Sequence, residues 1–218
     1  MKKLLFAAAC ILFLSVSCSK PSGEKANVAD AKEVTQNSSA SATSKAIDVT
    51  SSSVAWKGFK KIGATHNGKI SIKQGDIKVS GDNVVGGKVV IDMTTVTAID
   101  MDAEKNGQLA GHLMSADFFE SEKFPTATFE LTSVEAKANG NNTHTLSGNL
   151  TLKGETKNIS FPAQVSVKDG KASIIANEFL INRTDFGLKY GSEKHLKGLA
   201  EDRIINQEFG ISLDVKSN

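Results

Sequence analysis

Cysteine is absent from nearly the whole of this 218-residue chain: Cys10 and Cys18 are its only two, and none follows position 18. The body of the protein therefore cannot rely on disulfides and must hold its fold by burying a core. No later stretch approaches the roughly 20 consecutive apolar residues that a membrane-spanning helix requires. A basic block is missing as well. Removing a leader that carries Lys2 and Lys3 from the 26 basic residues leaves 24, against 24 acidic ones. Nucleic-acid binding needs a concentrated positive footprint, so that class of partner is not expected. Aromatic residues make up only 6% of the chain.

Catalytic and metal-binding signatures are also lacking. There is no GxSxG, no phosphate-binding glycine loop and no cysteine nucleophile in the body of the chain. His66, His112, His144 and His195 are far apart and show none of the spacings of metal ligands. Asp100 and Asp102 could suggest calcium, but the loop lacks the further carboxylates at the required positions. Asp102 as a helix N-cap with Glu104 in the first turn explains them more simply. No enzyme activity, resident metal or obligatory cofactor is expected.

The chain begins with Lys2 and Lys3, followed by an apolar run from Leu4 to Val16 and then Cys18. Residues 1–17 have the length and charge of a secretory leader. "LSVSC" resembles the lipobox of bacterial lipoproteins, although Leu14 stands four residues before the cysteine, where the usual pattern has three. The resemblance implies an acylated Cys18, a lipid anchor in the membrane and a stable attachment. Ser19 in the following position lacks the aspartate of inner-membrane retention, so the expected location is the periplasm, anchored to the outer membrane. Residues 18–45 carry no aromatic and almost no large aliphatic residue, and so read as a flexible tether. A short helix near 28–34 is the alternative.

Residues 46–218 have one uniform texture and are expected to form one domain. Their dominant signal is period-2 alternation. Leu146, Leu150 and Leu152 share a face, as do Ile159, Phe161, Ala163, Val165 and Val167, and again Phe209, Ile211, Leu213 and Val215. This is the pattern of half-buried antiparallel strands. Turn signals stand at "QGD" 74–76, "SGDN" 80–83, "NGNN" 139–142, "KGET" 153–156 and "KDGK" 168–171. Pro162 inside a strand should mark an edge, a bulge or a rim. One helix is expected over about 103–114. Periodicity alone leaves a sandwich and an up-and-down barrel both open, and a barrel interior either filled or holding one ligand.

Four segments go further: "HNGKISIKQGDI" at 66–77, "HLMSADFFESEKFPTATFE" at 112–130, "LSGNLTLKGETKNISFPAQV" at 146–165 and "INRTDFGL" at 181–188. In this order and spacing the domain resembles the YceI-like family of exported, lipocalin-like bacterial proteins that bind polyisoprenoids. The resemblance implies an all-β fold, an extended antiparallel eight-stranded barrel with one short helix capping an end. Its apolar lumen would take an isoprenoid quinone or polyprenyl phosphate, with the head near one mouth, for carriage, storage or sensing. A ligand-free adhesion or scaffold module is the alternative.

Phe118 and Phe119 would then form a plug or end wall in contact with the ligand, plain core packing being the alternative. Arg183 and Asp185 would share a strand face and pair, with Arg183 either offering its planar fork to a head group or lying on the surface. His66, within "HNGK", and Trp56 complete the set of candidate ligand contacts. A monomer is expected, a dimer being the alternative.

Overall fold

The computed structural model describes residues 21, 23–34 and 42–218. The leader and Cys18 lie outside the described residues. Among those described, no helix is long and apolar enough to cross a membrane.

The alternating segments become strands: β1 (Glu24–Lys25), β2 (Asn27–Asp30), β3 (Thr43–Ala46), β4 (Ser53–Phe59), β5 (Thr65–Ser80), β6 (Asn83–Ala98), β7 (Thr126–Asn139), β8 (Asn142–Leu152), β9 (Glu155–Lys168), β10 (Lys171–Asn182) and β11 (Glu208–Lys216). From β4 to β11 each pairs antiparallel with the next, and β11 pairs back onto β4. The result is a closed, eight-stranded, up-and-down barrel with one short helix, α1 (Ala103–Met114). Closure leaves no free sheet edge along most of the wall.

Tight turns at 81–82, 140–141 and 169–170 gather at one end. Gly81, Gly140 and Gly170 supply the positive φ angles these turns require. The other end carries α1, the 60–64 loop, the 153–154 turn and the long 183–207 connection. The helix starts as its sequence suggests: the Asp102 carboxylate accepts from the Lys105 N–H at 2.9 Å. Inward residues of all eight strands, among them Leu146, Ile159, Phe161, Phe179 and Ile181, make one continuous core.

Two expectations fail in instructive ways. "QGD" at 74–76 is not a turn, because β5 runs straight through it. A Cβ on Gly75 would stand 2.5 Å from the Lys88 carbonyl oxygen and from Ile47 Cδ1, so this glycine serves close packing.

The second correction concerns the tether. Residues 24–30 are paired into the wall. β9 and β10 pair directly only over 164–168 and 171–175. Towards the helix end they part, beginning at an irregularity in β10 between Ala176 and Phe179. The N-terminal segment fills the gap: β1 runs parallel to β10 at Phe179–Leu180, and β2 runs antiparallel to β9 at Lys157–Ser160. Gly23 enters beside the Glu178 carbonyl, where a Cβ would approach to 2.8 Å.

Beyond β2 the chain crosses to β8, where the Asn149 amide accepts from the Lys32 N–H at 3.0 Å and donates to its carbonyl at 2.6 Å. Composition misleads here because the segment needs no core of its own. It borrows ladder partners from β9 and β10 and contributes only Ala26 and Val28 to the core. Pro162 sits between the two ladders, opposite neither β2 nor β10, where the missing N–H does least harm.

Candidate functional site

The barrel encloses a cavity of about 110 Å³ lined by aliphatic and aromatic side chains, among them Ile91, Phe129, Leu150, Phe161, Phe179 and Ile211. Phe161 and Phe179 stack face to face, with centroids 4.2 Å apart, and Phe129 lies 5.6 Å from Phe161. Phe129 finds its place over Gly148, where a Cβ would meet the ring at 2.3 Å.

A second cavity, of about 530 Å³, opens between α1, the end of β4 and the 190–205 loop. Its lining is mixed. Leu109, Leu113 and Phe118 share it with Lys60, His66, His112, Tyr190 and Arg203. A smaller pocket of about 60 Å³, bordered by Leu113, Phe118, Phe119 and Arg183, lies between the two.

Phe118 and Phe119 therefore stand at the partition. Their rings meet edge to face at 5.0 Å; Phe119 lines the lumen, and Phe118 faces the outer cavity. The chain leaves α1 in a tight reversal, with the Phe119 N–H donating to the Leu113 carbonyl at 2.9 Å. Lys153 holds the far side by donating to the Phe118 carbonyl at 2.7 Å. Trp56 spans both cavities, and its indole N–H donates to the Thr97 carbonyl at 3.1 Å. The reach depends on Gly68 opposite, where a Cβ would lie 2.6 Å from Trp56 Nε1.

His66 borders the outer cavity. Its Nδ1 lies 2.9 Å from Asp100 Oδ2, and the Asn67 N–H donates to the other carboxylate oxygen at 3.0 Å. Burial works to raise the Asp100 pKa, but the Asn67 and His66 hydrogen bonds outweigh it, leaving the carboxyl below its ordinary value. An ionised carboxylate only accepts, so Nδ1 is the donor and Nε2 is the ring atom available to a ligand. Across the cavity the rings of His112 and Tyr190 meet edge to face at 4.6 Å. Among the described residues, no three His, Cys, Asp or Glu side chains converge as a metal site would require.

Arg183 and Asp185 need a correction. They do not share a strand face, because β10 ends at Asn182 and residues 183–186 form a 3₁₀ turn. The Asn182 side chain caps that turn, accepting from the Thr184 N–H, and Asp185 accepts from the Asn182 amide at 3.1 Å. Arg183 is 1% exposed. Its guanidinium donates to the carbonyls of Leu188, Ile205 and Asn206. Burial without a carboxylate partner pulls its pKa down to about 10. The fork is thus occupied in tying the long 183–207 connection across the barrel end. Lys61 reinforces the same connection through Glu193 at 2.9 Å and Glu201 at 3.7 Å.

The sequence reading missed Asp100, His112, Tyr190 and Arg203 as parts of one rim. Only the fold brings their distant positions together. A usable signal is the density of charge in residues 189–209, several of which line the outer cavity.

The sequence matches the YceI-like domain over residues 45–217. It is 34% identical over 96 residues to a UPF0312 protein of Shewanella sp. (strain ANA-3), an alignment covering 44% of this chain and 47% of that one. A UPF0312 protein of Vibrio cholerae is 31% identical over 127 residues, covering 56% and 64%. The chain thus spans about half the length of the first of these relatives.

Among solved structures, BcnA of Burkholderia cenocepacia superposes with a TM-score of 0.58 at 19% identity, covering 79% of this chain and 99% of BcnA. A polyisoprenoid binding domain from Saccharophagus degradans gives 0.55 at 18% identity, covering 81% and 97%. At these identities the structural likeness speaks for the fold. The match over residues 45–217 assigns the chain to the YceI-like family.

Proposed function

We propose that this protein binds an amphiphilic lipid with a long isoprenoid tail, of the quinone or polyprenyl phosphate class, and carries, stores or senses it in the bacterial envelope. The carrying observation is the contrast between the two cavities. A wholly apolar lumen lies end to end with a cavity rimmed by His66, His112, Tyr190, Arg203 and Lys60. One suits a tail and the other a polar head. The polyisoprenoid binding domain of similar fold supports the same reading. The reading is of a binding site and not a catalytic one, in keeping with the absence, among the described residues, of a converging metal-ligand set. With the leader read as above, the protein works in the periplasm, held to the outer membrane through Cys18.

Native mass spectrometry of gently purified protein tests this. A retained lipid, or stoichiometric uptake of an isoprenoid quinone after delipidation, is the expected result. Protein that neither retains nor takes up such a lipid overturns the reading.

One observation favours a second reading. Small-molecule sites commonly measure roughly 300–1,000 Å³, and the lumen offers about 110 Å³. A barrel filled by its own side chains and acting as a scaffold would look the same, and would stay lipid-free in that measurement.

A further inference from the structure

If a tail occupies the lumen, the wall must yield somewhere, because a cavity of about 110 Å³ is too small for a long prenyl chain. Most of the wall resists. β8 lies against β9 without interruption from His144–Leu152 to Ala163–Glu155, and breaking such a ladder exposes a row of backbone groups. The wall has one weaker place.

Between β9 and β10, on the helix-end side of Gln164 and Ile175, the only strand among the described residues is the short N-terminal one. Its hold is slight. Lys25 pairs with Glu208 at 2.6 Å and Asp30 with Lys157 at 2.9 Å, each pair joining an exposed residue of the segment to a half-buried one of the wall. Exposed ion pairs of this kind contribute little. Only Ala26 and Val28 add to the core. The seam it covers is flanked by Ile159 and Phe161 on β9 and by Phe179 and Ile181 on β10, all of which line the lumen.

We propose that the β9–β10 seam is the port through which a lipid tail reaches the lumen, and that residues 23–30 are its removable wall strand. Displacing this strand opens a slot along the barrel side while every ladder from β10 through β11 and β4 to β9 stays intact. The strand then closes over the tail, or stands further out and widens the barrel, since barrel diameter grows with strand number. The inference rests on the proposed lipid-binding reading.

The test locks the strand in place. Asn27 and Ser160 are register partners on β2 and β9, and Cα separations in an antiparallel ladder suit a disulfide. A leaderless form, residues 19–218, which has no native cysteine, carries Asn27→Cys and Ser160→Cys and is mixed with a prenyl quinone. Quenching of Trp56, the single tryptophan and a neighbour of both cavities, reports arrival.

The expected result is that uptake slows by an order of magnitude or more in the oxidised form and recovers on reduction, with the same final occupancy. Equal rates in both forms overturn the port. Absence of quinone from both forms after long incubation removes the lipid-binding reading and the port with it. Val28→Gly gives an independent check, because it loosens the strand without a crosslink. Uptake faster than in the parent is expected, and an unchanged rate counts against the proposal.

Discussion

The guanidinium carbon of Arg183 lies 5.9 Å from the centre of the Phe118 ring. A fully buried cation thus rests against the aromatic side chain that separates lumen from mouth. Its hydrogen bonds all go to the backbone of the connection it ties down. Arg183 is a keystone of the barrel end, and its removal acts on stability before it acts on any ligand. Arg183→Ala strands buried carbonyls and is expected to cost about 3 kcal/mol or more. Thermal unfolding checks this. A lowered Tm with unchanged discrimination between head groups is the expected pair of results; lost discrimination at unchanged Tm contradicts the assignment.

Phe118→Ala joins the lumen to the outer cavity. Truncating a buried phenylalanine costs roughly 3–5 kcal/mol. Affinity for a prenyl quinone and for a headless hydrocarbon of equal length should fall together, because the change removes apolar wall and no polar partner. Titration of both ligands against parent and variant decides it.

His66 should act selectively. Losing one hydrogen bond to a lipid head costs about 1 kcal/mol for a neutral partner and up to about 3 kcal/mol for a charged one. His66→Ala is therefore expected to weaken a quinone- or phosphate-headed ligand and to leave the hydrocarbon unaffected. Equal loss for both would place the head elsewhere along the rim.

Acid should weaken the N-terminal strand's hold modestly, and before it affects the β8 ladder. Hydrogen bonding from Lys25 lowers the Glu208 pKa below 4.5, and hydrogen bonding from Lys157 lowers the Asp30 pKa below 3.8. Both carboxyls have depressed pKa values in the folded state. Their contribution is present above the ordinary carboxylate range and is lost as pH falls through the folded values. Amide protection at residues 24–30, read by mass spectrometry after correction for the slower intrinsic exchange in acid, should fall below about pH 4 while β8 amides stay protected. Simultaneous loss at both places contradicts a separately held strand.

The strands and most turns were legible because their causes are local. Alternation fixes which side chains face inward, and Gly81, Gly140 and Gly170 are needed where φ turns positive. Asp102 was readable as a cap for the same reason. The failures share a different cause. Gly75 has a turn-like sequence, but its role is set by Lys88 and Ile47, which no local window contains. "NRTDFG" alternates on paper, yet Asn182 caps a 3₁₀ turn within it. The rim formed by His66, His112, Tyr190 and Arg203, with Asp100 behind His66, is assembled by the fold from separate segments. The N-terminal strand was illegible because its partners, not its composition, make it a strand.

That strand also constrains the order of folding. Lys25 and Glu208 meet across 183 positions of sequence. The segment precedes β9 and β10 in the chain, yet its seat does not exist until residues 155–182 have taken up their strands. Docking over so long a separation is slow compared with hairpin closure. Until it happens, the nascent barrel is a clasp still undone, with Phe161 and Phe179 accessible from the side. A segment near the start of the chain is thus fastened only after two strands far along it have formed.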